Sequence, residues 1–180
     1  MLNKIVQNPL LRVAFRFGVI SGILVMIFVV SLYYMEKHPY LVNPFLDPRI
    51  PVLAVMLLFA LKEIRDLHQS GTLYFGQGMA AGFVMTLVCA VLAWIGIWSF
   101  ATIEPGFVSE FIRLATEQTL TFSPEDIDRI GKETFEQGLD ELKRADKYFM
   151  ASRYFFQTFI ISFFVSIIVT IVLRKVPVEA

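Results

Sequence analysis

Residues 67–103 read LHQSGTLYFGQGMAAGFVMTLVCAVLAWIGIWSFATI, and none of these 37 positions is Asp, Glu, Lys or Arg. A helix rises about 1.5 Å per residue and needs roughly 20 apolar residues to cross about 30 Å of hydrocarbon. The run therefore holds one membrane span, from about Gly78 to Ile103, entered through a polar turn that contains His68 and Gln69. Two other charge-free runs have span length: Phe17 to Met35, of 19 residues, and Tyr154 to Leu173, of 20. A fourth span is expected from about Pro48 to His68. Its uninterrupted apolar part, Ile50 to Leu61, has only 12 residues. Pro48 and Pro51 suit a first helical turn, and Lys62 can reach the headgroups while Ile64 and Leu67 continue the apolar face.

Composition agrees with that reading. Of 180 residues, 56% are hydrophobic and 18% charged, against about 25% charged in an ordinary globular protein. Such a chain is neither disordered nor an ordinary soluble domain. Its net charge is zero, which gives no reason to expect a nucleic-acid partner. The single Cys excludes an internal disulfide and CxxC zinc or redox motifs. The expected fold is thus an all-α membrane protein, one domain over 1–180, with four transmembrane helices and a long extracytoplasmic helical loop between the third and fourth.

Charge placement suggests the orientation. Lys4, Arg12, Arg16, Lys62, Arg65, Arg174 and Lys175 fall on one side of a four-span chain, and only Lys37 and Arg49 lie in the short opposite loop. The positive-inside rule then puts both termini in the cytoplasm. Residues 104–153 carry seven bases and eleven acids, a net charge of −4, and form the extracytoplasmic loop. Two amphipathic helices are expected there. One covers about Phe107 to Gln118. The second is capped by Ser123 and Pro124 and continues into the last span. The acids read as a solvated face, or as a docking surface for a basic partner or a loose cation site, and EF-hand spacing is absent.

Small residues recur every four positions on three spans: Gly18 and Gly22; Gly78, Gly82, Thr86 and Ala90; Thr158, Ser162, Ser166 and Thr170. Each set occupies one helix face, where small residues let helix backbones approach closely in lipid. The spacing serves the chain's own bundle or a partner helix equally well.

Catalytic and cofactor signatures are missing. His38 and His68 belong to opposite sides of a bilayer and cannot share a metal. Cys89 sits mid-span as a small hydrophobe. No GxSxG, HExxH or P-loop pattern occurs. The clear span interiors contain no ionisable acid or base of the kind that proton-coupled transporters and intramembrane proteases use. No cofactor is expected. The densest polar cluster is Lys62-Glu63-Ile64-Arg65-Asp66, followed by Gly71 and Tyr74-Phe75-Gly76-Gln77. It reads either as an interfacial cap on a helical hairpin or as a headgroup or partner contact formed by Arg65, Asp66, Tyr74, Phe75 and Gln77.

Those stretches carry a family resemblance. A basic-acidic pair, a glycine-containing turn and an aromatic-Phe-Gly-Gln run opening a span, with Ile103-Glu104-Pro105-Gly106-Phe107 closing it, resemble the bacterial domain-of-unknown-function family 4199, common in Bacteroidota. The resemblance covers nearly the whole chain. It implies a four-helix inner-membrane protein with no established activity or catalytic residues to transfer. The expected function is that of a non-enzymatic subunit or scaffold. It would bind the lipid bilayer and either a membrane-protein partner or further copies of itself. The alternative is a small oligomeric transporter or lipid-handling protein, which requires a hydrated cavity reaching mid-membrane.

Overall fold

The computed structural model describes residues 8–43 and 47–176. Lys4, one of the bases used for orientation, lies outside them. The elements are α1 (Pro9–Tyr34), α2 (Arg49–Glu63) with a π-helical turn at Ile64–His68, α3 (Phe75–Ile103), α4 (Gly106–Leu120), α5 (Pro124–Ile130), α6 (Lys132–Lys143) and α7 (Lys147–Leu173). The helix starts follow from local chemistry. The Asn8 side chain accepts from the Leu10 N–H at 3.0 Å ahead of Pro9, and Asp146 accepts from the Phe149 N–H at 2.7 Å at the head of α7. Each satisfies a donor that the first turn leaves without a partner.

Among the described residues three helices are long and apolar enough to cross a membrane: α1, α3 and α7, of 26, 29 and 27 residues. The expected span from Pro48 to His68 is not a fourth of that kind. Its α-helical part has 15 residues, a rise of only about 22 Å. The reason lies at its start. Leu53 meets Met85, Thr86 and Ser162, well inside α3 and α7, so α2 begins partway along the bundle and not at its edge.

α3 packs against α1 on one side and α7 on the other. Two contacts gather four chain segments at one end, called here the proximal end. Arg16 near the start of α1 pairs with Glu63 at the end of α2 at 2.5 Å. Leu73, just before α3, exchanges backbone hydrogen bonds of 2.8 and 3.0 Å with Lys175, just after α7. The helices therefore run up, down, up and down, with α2 filling the proximal half of its position. Two buried clusters divide the bundle along its length. The proximal one includes Val13, Leu57, Leu61, Ile64, Leu73, Ala81 and Met85. The distal one includes Val25, Val29, Leu53, Ala93, Ile97, Phe107, Phe111, Met150 and Tyr154. Outward faces are apolar on all four helices, as at Ile27, Phe59, Leu87 and Phe164. Water would not tolerate so continuous an apolar surface.

At the distal end α4, α5 and α6 form a cap. The long second cap helix expected from Ser123 onward is two helices that stop short of α7. Gly131 breaks it with φ of +91°, a backbone conformation that glycine adopts without strain. A second break at Arg144–Asp146 precedes the Asp146 cap of α7. α5 and α6 contain no buried residue.

Candidate functional site

The small-residue ladders come together inside the chain. All ten residues are buried. A Cβ added at Gly18 would lie 2.8 Å from the Met85 carbonyl oxygen, and one at Gly22 would lie 2.8 Å from Leu92 Cβ, so α1 rests on α3. A Cβ at Gly82 would lie 2.7 Å from the Ser166 hydroxyl, and one at Gly78 would strike Thr170. The ladder of α3 thus faces the ladder of α7, register by register. Ser166 donates to the Ser162 carbonyl at 2.7 Å within its own helix.

Between these helices the segment after α1 turns back into the bundle. Glu36 has φ of +60° and begins the reversal. His38 is buried, stacks on Phe107 with ring centroids 4.8 Å apart, and places Nε2 3.0 Å from the Phe107 carbonyl oxygen. The Tyr40 N–H lies 3.4 Å from His38 Nδ1. A neutral ring with the proton on Nε2 satisfies both contacts. Burial lowers the His38 pKa, opposed by the Phe107 hydrogen bond and by Glu110. The Tyr40 hydroxyl donates to the Met150 carbonyl at 2.6 Å.

This segment ends at Asp47-Pro48-Arg49, the polar centre of the molecule. The Asp47 carboxylate accepts from the Arg49 N–H at 2.9 Å and from Arg49 Nε at 2.8 and 2.9 Å, and it also binds Nη2. Arg49 Nη1 donates to Thr158 Oγ1 at 3.3 Å, and Nη2 reaches Gln157 Oε1 at 3.5 Å. The guanidinium carbon sits 4.2 Å from the centre of the Tyr154 ring. The two charged side chains are only 8% and 12% exposed. Tyr154, Gln157 and Thr158 all belong to the charge-free run of the last span. A charge pair therefore lies within that run's depth, brought there by a loop.

That corrects one sequence expectation in substance. The spans themselves carry no acid or base in their clear interiors, but Asp47 just before α2 and Arg49 at its first position lend them one of each. A charge buried alone would be prohibitive, and a forked ion pair that also donates to Thr158 and Gln157 is tolerable. Chemically the centre is closed. The carboxylate is occupied by its own neighbour, and among the described residues no nucleophile–base pair adjoins it. Among the described residues no group of three His, Cys, Asp or Glu is placed to hold a metal. His38 lies at the distal end and His68 in the proximal π turn, so they do not meet.

The other expected cluster is placed differently. Arg65 donates to Asp66 from Nε at 2.7 Å and from Nη2 at 3.2 Å on the proximal surface. The arginine beside it lowers the Asp66 pKa and itself shifts upward. The Gln77 side chain accepts from the Tyr74 N–H at 3.1 Å and so caps α3. Tyr74 and Phe75 are exposed. The five residues form a pair and a cap, not one convergent site.

Sequence reasoning missed Tyr40, Asp47, Arg49 and Gln157 as members of a site. One signal was present: Gln157 is the single amide in the run from Tyr154 to Leu173. A family model described as a protein of unknown function, DUF4199, matches residues 16–175. No curated protein and no solved structure matches the chain.

Proposed function

The chain belongs to the DUF4199 family, and we propose that it is a non-enzymatic integral membrane protein serving as a subunit or scaffold. The observation that carries this reading is the closure of its interior. The Asp47–Arg49 pair spends its bonding capacity within the chain, and the small-residue faces are taken up by close contacts between its own helices. The space beside Leu53, Met85, Thr86 and Ser162 amounts to about 10 Å³, barely the room that one water needs. A transport pathway there has no wet route to follow, which weighs against the transporter alternative. Recognition then falls to the outer surface, above all to the acidic α4–α6 cap. The fitting partner is a basic segment of another membrane-associated protein.

In this reading the membrane is a bacterial inner membrane, and α2 with its π turn serves as a fourth, shorter crossing. The apolar outward face of α2, at Val55, Leu58 and Phe59, supports that. Both termini lie in the cytoplasm, because Arg12, Arg16, Lys62, Arg65, Arg174 and Lys175 gather at the proximal end. The cap is then extracytoplasmic. Cys89 is fully buried, so single added cysteines report topology without background. In intact spheroplasts a membrane-impermeant maleimide should label Glu136→Cys at once and Arg12→Cys only after permeabilisation. The opposite pattern refutes the orientation. For the partner, lysine cross-linking in native membranes followed by mild-detergent purification should return one dominant second protein joined at Lys132 or Lys143. Recovery of this chain alone refutes the partner.

A further inference from the structure

Between α4, α6 and the first turns of α7 lies a cleft of about 490 Å³, within the roughly 300–1,000 Å³ usual for small-molecule sites. Its lining is mainly aromatic and aliphatic, with Phe111, Phe122, Phe135, Leu142 and Phe149 facing the space and Arg153 beside them. The Arg153 guanidinium lies 6.0 Å from the Phe111 ring centre, and no carboxylate lies within ion-pair distance of it among the described residues. Arg153 is also the residue immediately before the charge-free run that begins at Tyr154, which sets the cleft at the boundary between hydrocarbon and water. One wall, α6, contributes no buried residue, so it can yield to an entering chain with little loss of packing.

We propose that this cleft binds a long-chain fatty carboxylate, its chain among the phenylalanines and its carboxylate at Arg153. The chemistry selects that class on three grounds. The lining demands an apolar body. The Arg153 guanidinium, exposed at the cleft's edge and outside every ion pair among the described residues, can take an anionic end by paired charge-assisted hydrogen bonds. The volume of about 490 Å³ suits one flexible chain. Glu141, also in the lining, repels a carboxylate and so fixes the direction, head at α7 and tail toward α6. This site does not depend on the scaffold reading or on any protein partner.

Full-length protein in phosphatidylcholine nanodiscs, photolysed with a diazirine-bearing palmitate, tests the proposal. Labelling should map to residues 107–122 and 133–149. Unlabelled palmitate should compete about tenfold better than 1-hexadecanol, the difference expected of one charge-assisted contact. Arg153→Gln should erase that difference. Gly138 lines the cleft, and a Cβ there would meet nothing within 4 Å, so Gly138→Trp should fill the space without breaking α6 and abolish labelling. An unchanged circular-dichroism spectrum and gel-filtration profile establish that both variants are folded. The proposal is overturned by labelling confined to the outward faces of α1, α3 and α7, by labelling that persists in Gly138→Trp, or by equal competition from the acid and the alcohol.

Discussion

Two acid–arginine pairs, Asp47–Arg49 and Arg65–Asp66, have nearly the same local chemistry and opposite surroundings. Both join neighbours in sequence, and both are forked. The first is enclosed by Tyr154, Gln157 and Thr158. The second stands on the proximal surface. Local sequence made the second more conspicuous, because it lies in a dense run of charges beside a glycine turn. The fold made the first more consequential, because a charge withdrawn from water depends wholly on its partners. The difference teaches that exposure, not pairing, sets what such a pair contributes.

Removing one partner from each pair breaks or sharpens that contrast most directly. Arg49→Ala leaves Asp47 buried without its counter-charge and should destabilise the protein by about 3–5 kcal/mol, measured by denaturant unfolding in detergent micelles. Arg65→Ala should leave the same transition where it is. Equal shifts for the two would show that Asp47 and Arg49 meet water.

A second contrast sets the ladders against the cap. Gly82→Leu drives a side chain into Ser166 and should cost about 1–3 kcal/mol through overpacking. Gly138→Ala, at an open position in α6, should stabilise by up to about 1 kcal/mol through helix propensity. Thermal unfolding monitored by circular dichroism reads both. A tolerated Gly82→Leu would mean that α3 and α7 separate.

The third contrast is in pH, and its effect is smaller. Burial holds the His38 pKa below 6.5, so the folded chain binds fewer protons than the unfolded one in the range beneath that value. Stability is therefore present above 6.5 and falls as the pH drops toward the folded pKa. The groups acting on the ring are the Phe107 carbonyl and Glu110. His38→Gln should flatten the stability profile in that window, read as unfolding midpoints between pH 7.5 and 5. A profile as steep as the wild type's would place the responsible group elsewhere.

Much of the architecture was legible because it rests on chain-local properties. The runs Phe17–Met35, Gly78–Ile103 and Tyr154–Leu173 announce their helices through length and absence of charge. Ser123-Pro124 announces the start of α5 through the acceptor that an N-cap needs. The four-residue ladders announce which faces approach closely. They did not announce whose helix they would meet, since a small-residue face fits any close backbone. Pro48–His68 reads as a full span because its prolines, Lys62 and flanking apolar residues fit one, and none of these registers where in the bundle a helix begins. The break at Gly131 was within reach of sequence reasoning, but a glycine in an amphipathic pattern is equally compatible with a weakened continuous helix.

What the sequence by itself determined is the solvent: three segments too long and too apolar for water, basic residues gathered at their ends and an acidic helical segment apart from them. The tertiary structure alone decided which polar residues lie inside. Asp47 lies in the short connection before α2 and Arg49 at the first position of that helix, where local sequence reads as a solvated helix start. They are buried because Glu36 reverses the chain, His38 and Tyr40 anchor it to Phe107 and Met150, and α2 starts deep in the bundle. Burial depends on contacts between residues more than a hundred positions apart, as between Arg49 and Thr158, and no local window of sequence contains them.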